Sequence, residues 1–94
     1  MECIELDVSE LEAPEPLVLA MDELKRLPQQ SYLHLIHRMK PCRLYDYLAN
    51  NNFYVQTRQG ESGLCELFIC PDSADLVKTH IGQLVKNMQQ WPAE

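Results

Sequence analysis

"SYLHLIHRMKPCRLYDYLANN", residues 31 to 51, decides how the chain is to be read. Its first seven residues place Leu33 and Leu35 on one side and His34 and Ile36 on the other, the alternation of a strand. After the break "RMKP", Leu44, Tyr47 and Leu48 recur at helical spacing. Asn50 to Asn52 then supply a polar exit, where asparagine tolerates left-handed backbone. A strand, a short turn and a helix make half of a βαβ unit, so the flanks decide the rest.

Upstream lies a second such half. "CIELDV" alternates Ile4, Leu6 and Val8 with polar residues. "PEPLVLAMDELKRL" carries Leu17, Ala20, Met21, Leu24 and Leu27 at helical spacing. Pro14 or Pro16 suits the first turn, Glu15 there favours the helix dipole, and Lys25 and Arg26 close the other end with the right sign. Downstream, "FYVQTR" and "LCELFI" read as strands joined by the two-glycine loop "QGESG". The order is β-α-β-α-β-β. It predicts an α/β two-layer sandwich with a four-stranded mixed sheet over residues 1–71. The two βα units imply parallel pairing with right-handed crossovers, both helices on one face, and the last two strands add an antiparallel hairpin.

Residues 72–94 add a C-terminal amphipathic helix. Asp72 is the expected N-cap, with Asp75 three residues later as a variant of the capping box. Val77, Ile81, Leu84, Val85 and Met88 form its apolar stripe, which Trp91 extends. Gly82 costs about 1 kcal/mol of helix propensity relative to Ala. The stripe is expected to cover the sheet face that the other helices leave bare. Docking on a dimer mate is the alternative, so a monomer and a homodimer both stay open.

Ninety-four residues, 46% of them hydrophobic, make one globular domain. No N-terminal run resembles a signal peptide, and no stretch approaches the roughly 20 apolar residues that span a bilayer. A cytoplasmic protein, away from membranes, is the expectation. Its thiols Cys3, Cys42, Cys65 and Cys70 should stay reduced. The net charge of −6 is uneven. Residues 1–24 hold eight acids and no base, whereas residues 25–58 hold six bases and one acid. Overall acidity argues against nucleic acid as a partner, because phosphate contacts dominate that affinity. A local anion site in the middle segment remains open.

Two segments, "LDVSELEAPEPLVLAMDELKRL" and "SYLHLIHRMKPCRLYDYLANNNFYV", together resemble the TusA-like (SirA-like) superfamily of small bacterial proteins. The likeness is to a branch of unknown function in which a basic "HRR-x-P-x-x-L-Y" segment precedes the second helix. It runs from residue 4 to about residue 70 and excludes the last helix. TusA-like sulfur carriers begin the first helix with Cys-Pro-x-Pro, whose matching positions here are Ala13, Pro14, Glu15 and Pro16. The prolines are kept and the persulfide-bearing cysteine is not. The resemblance thus implies the fold and removes the superfamily's sulfur chemistry at residue 13.

His37, Arg38, Lys40 and Arg43 gather beside the start of the second helix, where outward amides and the helix dipole favour an anion. Adjacent parallel βα units should bring Pro14 to the same sheet edge, where ligands of open α/β sheets bind. Pro14, His37, Arg38, Lys40, Arg43 and Tyr45 are the candidate binding residues of a non-enzymatic module that engages a partner protein or a small anion. Simple solvation of the bases is the bland alternative. Cys42, between Lys40 and Arg43 at a helix start, sits in surroundings that favour a thiolate. It offers the alternative of a sulfur-transfer or redox carrier, against ordinary apolar packing. Neither a metal nor a cofactor is expected. His34, His37 and His80 lack ligand spacing, and no phosphate loop, nucleophile elbow or zinc motif occurs. Glu10, Glu12 and Glu15 read as solvated charge.

Overall fold

The computed structural model describes residues 1–39, 41–60 and 63–87. In chain order they form β1 (Glu2–Asp7), α1 (Glu15–Lys25), β2 (Ser31–His37), α2 (Cys42–Asn50), β3 (Phe53–Gln59), β4 (Cys65–Pro71) and α3 (Asp75–Asn87). This is an α/β fold on a four-stranded mixed sheet of order β1-β2-β4-β3. β1 and β2 run parallel, from Glu2 opposite Ser31 to Asp7 opposite Ile36. β4 is antiparallel to both its neighbours.

The last strand therefore lies inside the sheet, and its hairpin partner β3 takes the edge. The burial of each strand shows why. Every residue from Cys65 to Cys70 is buried, so β4 needs neighbours on both sides and cover on both faces. β3 is mostly half-buried, with Thr57 and Gln59 exposed, a pattern an edge can carry.

One face holds the larger core. α1 buries Pro16, Ala20 and Leu24 at four-residue spacing, and α2 buries Leu44 and Leu48. The helix residues Ala20, Leu24, Leu44 and Leu48 join Leu33, Leu35, Leu67 and Ile69 of β2 and β4 in one cluster. The opposite face is covered by α3, whose Val77 and Ile81 pack on Tyr32, Phe68 and Cys70. Val77 and Ile81 of the C-terminal stripe are thus buried in their own chain, Leu84 and Val85 are half-buried against the same cluster, and α3 covers the second face of the sheet. Met88 and Trp91 lie outside the described residues.

Local signals explain most boundaries. Pro14 is the N-cap of α1, with Pro16 inside its first turn. Asn51 ends α2, its side-chain amide donating to the Tyr47 carbonyl at 2.8 Å. Asn52 follows at φ 60°, the left-handed geometry that asparagine accepts more readily than most residues. The start of the last helix differs from expectation. α3 begins at Asp75, and the Asp72 carboxylate accepts from Lys78 Nζ at 3.1 Å instead of capping the helix. A Pro71–Ala74 turn separates Asp72 from the helix, with the Ala74 amide donating to the Pro71 carbonyl at 3.0 Å.

Cys65 and Cys70 face opposite cores, as five-residue spacing on a strand requires. Burial pushes the Cys70 thiol up to about 11, so it is protonated at neutral pH. Ile81→Ala should cost about 2–5 kcal/mol, the usual loss for emptying a fully buried aliphatic site. Urea unfolding checks the value, and an unchanged midpoint would detach α3 from the core.

Candidate functional site

Parallel pairing of β1 and β2 sends both following turns to one end of the sheet. Between them opens a cleft of about 570 Å³. Leu11 to Pro14, with Pro16 and Leu17, form one wall, and His37 to Met39 with Pro41 to Leu44 form the other. Ala13 and Arg38 therefore border the same space, and the Ala13–Pro14 peptide is cis. The volume falls within the range of small-molecule pockets, and the lining is mainly apolar with a few polar groups.

Both helices that start at this rim have proline N-caps, Pro14 and Pro41, and neither has a side-chain cap. A helix start leaves its first amides without intrahelical acceptors. α1 sets Glu15 against its dipole, whereas α2 has no acid in its first turn and carries Arg43 there. The positive end of α2 is thus left uncompensated by its own first turn.

Arg38, Cys42 and Arg43 are exposed and line the cleft. Among the described residues neither arginine makes an ion pair, although Arg26 pairs with Glu23 at 2.9 Å and Arg58 with Glu66 at 3.0 Å. His37 belongs to the same wall and is only 9% exposed. Its Nδ1 accepts the Met39 amide proton at 3.2 Å, so the neutral ring carries its own proton on Nε2. Burial first, and then the charge of Arg38, hold its pKa below the ordinary value of 6.5.

Pro14, His37, Arg38 and Arg43 thus share one cleft, and Lys40 lies outside the described residues. Tyr45 is placed elsewhere. Two residues past Arg43, and so on the other side of α2, its hydroxyl is 2.7 Å from Thr57 Oγ1, in a second hollow with Gln59 and Cys65. Glu12, read as solvated charge, is exposed and borders the cleft.

A second polar cluster escaped the reading of the sequence. Glu66, 2% exposed, meets His34 Nε2 at 2.6 Å and Arg58 Nη1 at 3.0 Å. Arg58 is directly opposite Glu66 across β3 and β4, and His34 is opposite Phe68, on whose ring it stacks at 4.6 Å. The cluster lies on the α3 face, away from the cleft. Its carboxylate is held by close partners, which makes it a structural network. The available signal was the lone glutamate within the apolar run "LCELFI".

Among the described residues no three His, Cys, Asp or Glu side chains gather as metal ligands. No described helix is long and apolar enough to cross a membrane. Comparison with protein-family models, curated proteins and solved structures found no match to the chain.

Two outcomes follow from these groups. The depressed His37 value means that the unfolded chain binds the proton more readily than the folded one. Its contribution is complete above 6.5 and is lost as pH falls toward the folded value. His37→Asn, which keeps an acceptor for Met39 but does not titrate, should flatten the fall of the urea midpoint below 6.5; an identical slope would exclude His37 as its source. Arg58→Met leaves Glu66 short of its cationic partner and should cost about 3 kcal/mol, with much of the loss recovered in the Arg58→Met/Glu66→Leu pair. Thermal unfolding of the single and double variants measures both values.

Proposed function

We propose that the chain is a non-enzymatic, TusA-like binding module that holds an anionic group in the rim cleft, free or carried by a partner protein. The observation that carries this reading is the pair Arg38 and Arg43. In a chain with fourteen acids, both face a cleft without an ion-pair partner among the described residues. The uncapped start of α2 adds amides and dipole of the same sign. Kinship with the cysteine-less TusA-like branch is supported by the β-α-β-α-β-β order before α3 and by the shared border of Ala13, Pro14 and the basic loop. The proposed site comprises Pro14, His37, Arg38 and Arg43, with Tyr45 at the β3 side.

A sulfur carrier is the second reading, favoured by Cys42, an exposed thiol at the first residue of α2 and on the cleft. In it the Cys42 thiolate attacks the outer sulfur of a donor persulfide, forms the new S–S bond and releases the donor as a thiolate. Intact-protein mass after treatment with a small persulfide should then show one added sulfur, lost in Cys42→Ser. No gain in mass removes this reading.

The anion reading is tested by amide chemical shifts during titration with acetate, sulfate, phosphate and thiosulfate at constant ionic strength. Shifts should concentrate at residues 37–44. Arg38→Ala/Arg43→Ala should weaken binding about tenfold or more, the scale of losing charge-assisted contacts. Unmoved amides across that segment with all four anions would overturn it.

A further inference from the structure

The cleft is not lined by charge alone, and its apolar walls bear on what the anion is attached to. Leu11, Pro14 and Leu17 face Met39 and Leu44 across it. Met39 is 57% exposed, a large apolar side chain left beside two arginines. An inorganic anion would use none of this surface. Glu12 also borders the space, so a second or third negative charge on the ligand would meet a carboxylate as well as the arginines.

His37 supplies the remaining constraint. Leu33 and Leu35 belong to the helix-side core, so alternation puts the His37 side chain on that same side at the end of β2. The ring is nine-tenths buried, its Nδ1 is used by Met39, and no partner for Nε2–H occurs among the described residues. At neutral pH it is a single, uncharged donor in the wall of a cleft whose exposed bases are arginines. One neutral donor with a planar guanidinium fork suits a carboxylate, which accepts along two oxygens in one plane.

We propose that the cleft is a site for small monocarboxylic acids with an apolar body, the carboxylate held by His37 Nε2–H and the arginines and the body lying between Leu11, Leu17 and Met39. The inference rests on the anion reading and narrows it to a ligand class. His37 is the residue that distinguishes this site from a surface charge pair, because among the described lining residues it is the polar side chain that is buried.

The test is a calorimetric titration of the full chain with acetate, butyrate, hexanoate and octanoate, alongside sulfate and hexylamine. Affinity should rise about two- to fourfold for each added CH2 group, the upper value corresponding to complete burial. Octanoate should exceed sulfate, and hexylamine should not compete. In the unmodified protein the His37 ring resonances should shift with hexanoate, and His37→Phe should lose affinity for the whole series by a common factor. Equal affinity for acetate and octanoate, or a silent His37 ring, overturns the inference while leaving anion binding standing. Competition by hexylamine also overturns it, by making the cleft a greasy surface indifferent to charge. Absence of binding by every anion overturns both the inference and the reading beneath it.

Discussion

The parallel registry of β1 on β2 is the constraint from which the remainder follows. Because Glu2 to Asp7 track Ser31 to Ile36 in the same direction, the chain must return between them through a crossover, supplied by α1; β2 and β3, both antiparallel to β4, need the same return, supplied by α2. The two helices then start from one rim and cover one face. Everything at the cleft depends on this. Had the strands paired antiparallel, Ala13 and Arg38 would lie at opposite ends of the sheet, and neither helix start would bear on the other's loop.

The second face obeys a different rule. β4 contributes Leu67 and Ile69 to one core and Phe68 and Cys70 to the other, so covering only the α1 and α2 side would leave apolar surface in water. α3 meets that need around Tyr32 and Phe68. Beside it the same face changes character, with His34 stacked on Phe68 and bonded to Glu66. A buried carboxylate is tolerable there because the cross-strand neighbour in β3 is an arginine. The sheet thus has one side whose centre is an aliphatic core, with His37 at its rim, and one side divided between a packed half and a paired, charged half.

Periodicity made the elements legible, and the direction of the first two strands followed from the helix between them. The meeting of Ala13–Pro14 with the basic loop was legible for the same reason, since it needs only topology. Lateral order was not, because the alternation of residues in a strand says which face they share and nothing about which strand lies beside it. β4 in the middle and β3 at the edge is a fact about cover that emerges only when both cores are seen. Glu66 was missed through the same alternation, which assigns a polar strand residue to solvent by default. Tyr45 stands beside Arg43 in sequence, yet two residues rotate the helix by about 200°, enough to exchange the rim for β3. His37 stands out in the sequence as one base of a basic segment, whereas in the fold it is buried and its pKa lies below the ordinary value.

β1 has a consequence of its own. It is an edge strand with one side of its backbone ladder open, and its exposed side chains include Glu2, Glu5 and Asp7. When two molecules approach edge to edge, these carboxylates are driven together before a ladder can close, while the backbone groups still hold their water. The acidity of the first segment therefore acts as a guard against runaway strand addition. The same charge weighs against every further strand that such an uncovered margin could accept.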